Sequence, residues 1–502
     1  MTVLSSASGT DAGRSASSRT SFDSLAPATG KRLASYPIGN AEQVEAAVER
    51  ARSAFDWWGS LSFDERKKHL SAWRALIARR VDEFAELVSA ETGKPRDDAV
   101  LEILLTLDHM DWAAKNAKKV LGPHKVSSGT LAANHEASVE YPPLGVIGVI
   151  GPWNYPVFTP MGSIGYALAA GNTVVFKPSE YTPGVGTWLA DTFGEAVPGH
   201  PDVFQTVTGL GDTGAALCTA RVGKLAFTGS SATGRKVMAA CAQNLTPVLM
   251  ECGGKDALIV DEDADVDAAA GAAIWGGMSN SGQTCIGTER VYVHEKRYDQ
   301  FVDAIRRQAG DVVAGESYGA MTMPSQIDVV RRHVEDALEH GATAVVGGAQ
   351  SIRPPFVDPV VLVDVPDDSV AITEETFGPT LTVTKVHDID EAVAKANATG
   401  YGLASAVFSG KRGMEIARRL RTGMTSVNSV ITFASIPELP FGGIGESGFG
   451  RIHGPDGLKE FTRAKAISRQ RWTSPLNLTS FRKTGRLTDV LVRIIRLRYG
   501  RG

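Results

Sequence analysis

Two side chains in the middle of the chain can do covalent chemistry together. Glu251 stands in the run Met250-Glu251-Cys252-Gly253-Gly254-Lys255, and Cys285 closes Ser281-Gly282-Gln283-Thr284-Cys285. A thiolate is a strong nucleophile near neutral pH, and a carboxylate can take a proton from water. Such a pair can form a thioester and then hydrolyse it. Taken alone, each residue has a plainer reading. A free Cys is usually small apolar packing, and a Glu beside two glycines can cap a turn. The surrounding sequence decides between these readings.

Five further short runs lie in order around the two: Pro152-Trp-Asn-Tyr-Pro156, Phe176-Lys-Pro-Ser-Glu180, Phe227-Thr-Gly-Ser230, Glu374-Glu-Thr-Phe-Gly-Pro379 and Pro440-Phe-Gly-Gly443. Together the seven runs resemble the aldehyde dehydrogenase superfamily, and the resemblance spans residues 22–472. In that family the first run is the general-base motif, usually E-L-G-G-K, and the second is the nucleophile motif, G-Q-x-C. The resemblance implies that Cys285 attacks an aldehyde carbonyl. The Asn154 amide and the Cys285 backbone N–H would hold the oxyanion, NAD (or NADP) would take a hydride, and Glu251 would activate water to release a carboxylic acid. It also implies that Lys177, Glu180 and Ser230 meet NAD(P), with Trp153 and Gly229 beside them. Glu375 and Phe377 would meet the nicotinamide ribose. Tyr155 and Phe441 would wall the substrate tunnel. No metal is implied.

The sequence departs from the family pattern in places. Cys252 replaces the usual Leu, Ala257 stands at a usual Pro, and Ile444-Gly-Glu-Ser-Gly448 lacks the frequent Lys after Pro-Phe-Gly-Gly. With His453-Gly454, this is similar to the branch that acts on apolar or long-chain aldehydes, and to some succinate-semialdehyde-type members. Ser279 and Gly162 stand where bulky aromatics often narrow the tunnel, which predicts a roomy apolar entrance. Two rival readings remain. One is a CoA-acylating semialdehyde dehydrogenase, which usually lacks the hydrolytic Glu. The other is a non-catalytic scaffold on the same fold.

These residues need elements to position them. At 502 residues the chain is long enough for two or three domains, and its net charge of -4 excludes a globally basic nucleic-acid binder. Four cysteines without a C-x-x-C pair do not make a disulfide framework, which fits a reducing cytoplasm. No apolar run reaches the length of a membrane span. Residues 1–20 are poor in large apolar side chains and read as disordered.

From Ala41, the spacing Val44, Ala47, Val48, Ala51 predicts a helix. Further helices are expected over residues 64–92 and 97–116. Short apolar strands then alternate with helices: 146–151, 173–177, 203–208, 224–227 and 248–250. That alternation predicts a parallel sheet covered on both faces. A second α/β region follows, with strands expected at 257–260, 290–293, 343–346, 405–408 and 425–428, and helices at 298–308 and 326–340. The fold class is therefore α/β: a Rossmann-like cofactor domain (21–122 and 143–252), a second α/β catalytic domain (253–454), and a small β oligomerisation arm (123–142 and 459–474). The family's homodimer or homotetramer is expected through that arm.

Gly209-Leu-Gly211-Asp-Thr-Gly214 matches G-x-G-x-x-G, yet it follows a later strand and no acid stands about 20 residues on. It reads as a turn. Gly229, Ser230 and Gly234 lie where a strand becomes a helix, and free N–H groups there can hold phosphate. Glu180 falls at the end of the second strand of the unit, where an acid can meet ribose hydroxyls.

The tail, residues 475–502, is basic and amphipathic. Leu487, Val490, Leu491 and Ile494 recur at helical spacing, with Arg486, Arg493 and Arg496 on the other side. Packing against protein is one reading, slightly ahead. Weak peripheral contact with an anionic membrane is the other.

Overall fold

The computed structural model describes residues 20–474, 480–481 and 485–500. The disorder expected for residues 1–20 falls, apart from Thr20, outside them. The chain divides into two compact units, Met1–Val120 with Pro143–Thr462, and Leu121–Pro142 with Arg463–Gly502.

The first unit contains two large sheets. In one, the strands run in the order Gly448–Phe449, Val248–Glu251, Lys224–Thr228, Val146–Ile150, Thr173–Lys177, Phe204–Thr206. All pairs are parallel except the first, which is antiparallel. The chain starts in the middle at Val146, moves out to Phe204, then returns to the other side at Lys224. This is the doubly wound order, with its switch point between Val146–Ile150 and Lys224–Thr228. The strands are buried almost end to end because helices cover both faces. One cover is the helix Ala41–Ser60, started by an Asn40–Gln43 capping box. Its Val44, Ala47, Val48 and Ala51 pack with Val146, Val175 and Leu225 in one core. Each fully buried Val there is worth about 1.5–3 kcal/mol over an exposed one.

The second sheet has seven strands in the order Thr343–Val346, Val360–Val363, Thr380–Val386, Thr288–His294, Asp256–Val260, Ala404–Phe408, Met424–Val427. Only the Thr343–Val346 edge is antiparallel. The return of Gly448–Phe449 to the first sheet brings the late chain against Glu251.

One expectation needs correction, and further strands join those expected. Residues 64–92 are two helices, Phe63–Arg79 and Val81–Thr92, broken at Arg80. The apolar spacing keeps its phase across the break, from Leu70, Trp73 and Ile77 to Phe84 and Val88, so periodicity hides it. The turn at 26–30 joins a hairpin, Ser21–Leu25 with Arg32–Pro37, whose strands are too polar to stand out. Val360–Val363 and Thr380–Val386 are further strands that the sequence reading passed over.

Where a turn was expected, the run opens the helix Gly211–Thr219, entered through Gly209. Its φ is +152°, and a Cβ there would lie 2.0 Å from the Thr213 hydroxyl. The strand before it, Phe204–Thr206, is the sheet edge, away from the switch point.

The second unit holds a three-stranded antiparallel sheet, Lys465–Gln470, His135–Glu140 and His124–Val126, and the helix Gly485–Tyr499. No residue of that helix is buried; Leu487, Leu491 and Ile494 are half-covered. Arg498 donates to the Thr130 hydroxyl. Residues 475–479, 482–484 and 501–502 of the tail lie outside the described residues. Among the described residues, no helix is long and apolar enough to cross a membrane.

Candidate active site

Cys285 sits where two cavities meet. One, about 760 Å³ including its open mouth, runs from Cys285 past Tyr155, Phe158, Phe441, Leu105, Trp275 and Leu101. The other, about 600 Å³ on the same measure, runs from Cys285 past Asn154, Trp153, Glu251, Ser230, Glu375 and Phe377. The cysteine is thus the shared floor of an apolar tunnel and a more polar cleft.

The loop carrying Cys285 is held in an unusual shape. Asn280, Ser281 and Gly282 have φ of 53°, 59° and 70° in succession. Non-glycine residues in that region cost free energy and persist only when the surroundings over-determine them. Here they do. The Gln283 amide donates to the Asn280 carbonyl at 2.9 Å, while its side-chain oxygen accepts from the Thr322 N–H at 2.9 Å. Ser281 donates to the Gly319 carbonyl at 2.8 Å. Gly282 packs so closely that a Cβ would lie 2.1 Å from the Gly378 carbonyl.

Asn154 follows the central strand Val146–Ile150 and is buried. Its side-chain N–H donates to the Gln283 carbonyl at 2.9 Å, which aims the amide along the nucleophile loop. Its own carbonyl accepts from Lys94 at 2.9 Å and from Asn280 at 3.1 Å. Lys94 in turn pairs with Glu102 at 2.6 Å, and Glu102 accepts the N–H groups of Val157 and Phe158 at 2.8 and 3.0 Å. This buried pair ties the helix Arg96–Leu121 to the start of the helix Phe158–Ala170. Tyr155 stacks under the Lys94 ammonium at 4.2 Å and shares a 3.0 Å hydrogen bond with Thr284.

Glu251 is the last residue of its strand rather than part of the glycine turn. It is 3% exposed, and neither carboxyl oxygen has a hydrogen-bond partner. Burial pushes its carboxyl well above the usual range, with Arg451 pulling back and Glu460 adding to the rise. Burial also raises the Cys285 thiol, reinforced by Glu251, Glu375 and Asp256 and opposed by the Ile286 N–H. Cys252 is buried packing whose thiol burial pushes up to about 11.

A second buried pair shapes the cleft. Lys255 donates to Glu289 and, at 3.0 Å, to Thr376. Glu289 accepts the N–H groups of Thr376 and Phe377, which carries a left-handed φ of 52°. Glu375 accepts the Gly254 N–H at 2.9 Å, and burial pushes its carboxyl up to about 8. The base-bearing run and the Glu374–Pro379 run are thereby held together. Phe377 meets Trp153 edge-on at 5.5 Å.

The cofactor candidates divide. Gly229, Ser230, Trp153, Glu375 and Phe377 all line the cleft; Lys177 and Glu180 do not. Ser230 caps the helix Ser231–Ala242 at the switch point, leaving that helix's first N–H groups at the cleft. Lys177 ends its strand, 4% exposed. It gives one hydrogen bond, to the Pro178 carbonyl at 2.9 Å, with Glu180 3.9 Å away. A buried ammonium has three donors, so Lys177 retains donors for an anionic or hydroxylated ligand. That spare capacity and the free helix end fit a dinucleotide.

Of the tunnel candidates, Tyr155, Phe441 and Ser279 are on the wall. Gly162 is not. A Cβ there would meet His453 Nε2 at 2.8 Å, so His453 already fills the space that the missing side chain was expected to leave. Lys94, Glu102, Lys255, Glu289, Asn280 and Thr322 were not anticipated. Lys255 closes the Glu251 run and Lys94 follows Gly93, and that was the available signal.

The sequence profile of the aldehyde dehydrogenase family matches residues 14–467. The chain is 36% identical over 452 residues to 4,4'-diapolycopene aldehyde oxidase of Methylomonas sp, covering 88% of this chain and 84% of that protein. Among solved structures, an NADP-dependent enzyme of E. coli superposes with a TM-score of 0.85 at 32% identity, covering 90% of this chain and 95% of the other. A succinate-semialdehyde dehydrogenase of Burkholderia pseudomallei does so with a TM-score of 0.85 at 32% identity, covering 90% and 94%.

Proposed function

Because the chain belongs to the aldehyde dehydrogenase family, we propose that it oxidises a neutral, apolar aldehyde to its carboxylic acid at Cys285, with NAD(P). One observation carries the reading: among the described residues, Cys285 alone is shared by an apolar tunnel and a cleft that holds an unpartnered carboxylate.

The sulfur of Cys285 forms a bond to the aldehyde carbon, and its proton has the Glu251 carboxylate to go to. The carbonyl oxygen becomes an oxyanion, and the Asn154 amide and the Cys285 N–H donate to it. Such donors are worth about 10²–10³ in rate. When bound, NAD(P) supplies a hydride acceptor, so that the carbon held on Cys285 becomes a thioester. Glu251 then takes a proton from water, the hydroxyl adds to the thioester carbon, and the C–S bond breaks to free the acid. Burial suits Glu251 to this role, because a base works best with its pKa near the working pH.

Gly229, Ser230 and Lys177 would hold the phosphates and ribose; Glu375 and Phe377 would flank the nicotinamide end. Glu180, beside Lys177, would favour NAD by accepting from a ribose 2′-OH and repelling a 2′-phosphate. The apolar substrate is supported by Leu101, Leu105, Phe158, Trp275 and Phe441 on the tunnel wall, and by the aldehyde named for the Methylomonas relative. A homodimer or homotetramer would form through the arm sheet of Lys465–Gln470, His135–Glu140 and His124–Val126.

The rival CoA-acylating reading needs no hydrolytic base, and Glu251 stands against it. Measuring NAD(P)H formation with an aldehyde panel, with and without CoA, is the direct test. Turnover that requires CoA would favour the acylating reading. No turnover with any aldehyde would favour the scaffold.

A further inference from the structure

The tunnel wall carries charge in an uneven way. Asp98, Leu101, Glu102 and Leu105 are spaced i, i+3, i+4, i+7 on the helix Arg96–Leu121, so one helical face supplies two carboxylates to the tunnel. Lys94 is the one cation among the lining residues. Its ammonium is already given to Glu102 and to the Asn154 carbonyl, and is 1% exposed. Asp98 is half-buried and has no hydrogen-bond or ion-pair partner among the described residues. The wall therefore carries two carboxylates against one cation; Asp98, whose carboxyl burial raises and Lys94 pulls back, sits among apolar side chains near the mouth, where Leu101 is 44% and Trp275 50% exposed.

We propose that Asp98 makes this tunnel select against aldehydes that carry a distal anion, so that neutral aldehydes are taken in preference to semialdehydes of dicarboxylic acids. The inference deepens the reading of Cys285 as an aldehyde site and rests on it for the direction in which substrate enters. An incoming carboxylate must leave water, finds no free cation on the wall, and meets a like charge. Keeping both charges costs Coulomb energy in a partly desolvated space; protonating one costs the free energy of shifting its pKa. Either route weakens binding, and neither applies to a neutral chain of the same length. Asp98 is a specificity-determining residue here, with no part in bond making. Some similar proteins are named for succinate semialdehyde, and Asp98 marks this chain as different in preference.

The test pairs butanal with 4-oxobutanoate, which match in chain length and differ in the terminal carboxylate. The readout is the ratio of their kcat/KM values, so that a general loss of activity cancels. Wild type should favour butanal by about tenfold or more. Asp98→Asn should move the ratio toward 4-oxobutanoate by about tenfold, and Asp98→Lys further. The same two aldehydes, titrated calorimetrically into Cys285→Ala protein with and without Asp98→Asn, give the ratio without turnover. If catalysis is absent but the binding ratio shifts with Asp98, the selection stands and the reaction reading falls. A wild type that uses 4-oxobutanoate as well as butanal, or a ratio unmoved in both Asp98 variants, overturns the proposal.

Discussion

The two sides of Cys285 are built by opposite rules. On the tunnel side Tyr155 is paired with Thr284, Lys94 with Glu102, and Glu102 with two backbone N–H groups, while the Ser279 hydroxyl and, nearer the mouth, Asp98 have no partner among the described residues. On the cleft side the decisive group is unpaired. Glu251 is buried with both oxygens unpartnered, and Glu375 is held by one N–H. A satisfied polar group is locked, and an unsatisfied one is expensive and free to act. On the proposed function, the tunnel would supply shape and the cleft proton chemistry.

Removing the shared atom should break both sides at once. Cys285→Ala should lower kcat by about 10⁴–10⁶, as loss of a covalent nucleophile does elsewhere, while leaving NAD(P) binding near wild type by fluorescence titration. Retained oxidation would shift the chemistry to another residue.

Breaking only the cleft side should stall the second half of the reaction. Glu251→Gln should lower the steady state by about 10²–10⁴, after a burst of about one NAD(P)H per site as the acyl-enzyme accumulates. The pH profile sharpens the contrast. Both Glu251 and Cys285 act deprotonated and both are pushed up by burial, so wild-type rates should climb with pH and fall away as pH drops through those raised values. In Glu251→Gln the climb should persist in the burst and vanish from the steady state. A variant without burst or adduct by mass spectrometry would instead make Glu251 the activator of the thiol.

A smaller effect is expected at the outer end of the cleft. Glu180→Ser should shift the ratio of kcat/KM for NAD over NADP toward NADP by about tenfold. A wild type that prefers NADP would put Lys177 in charge instead. The smallest effect concerns the tail. If the tail touches an anionic membrane, vesicles should pellet the full chain slightly more than a chain ending at Pro475 at low salt, and equally at high salt. Equal pelleting throughout would leave the helix Gly485–Tyr499 as packing.

Much of the cleft was legible in the sequence because its chemistry sits in short contiguous runs. Glu251 to Lys255, Gln283 to Cys285 and Glu375 to Phe377 each place a proposed role within a few residues. The braces were not legible. Lys255 and Glu289 are 34 residues apart, and Lys94 reaches Asn154 across 60. Only the fold brings them together, and a lone Glu such as Glu289 looks like any surface charge. Gly162 failed for the same reason: whether a small residue leaves space depends on what packs against it, and His453 comes from nearly 300 positions away. Most strands of both sheets were readable because full burial demands apolar runs, although Val360–Val363, Thr380–Val386 and Gly448–Phe449 were passed over, and the break at Arg80 left the apolar phase intact.

The meeting of two cavities on one sulfur also governs traffic. On the proposed reaction, aldehyde and dinucleotide would reach Cys285 by separate doors, so that neither would have to leave before the other could move. A spent cofactor can depart while the acyl group still occupies the tunnel, which vacates the floor beside Glu251 for the water that must arrive next. A greasy plug lodged in the tunnel would leave the other door open, and would inhibit without competing for the dinucleotide.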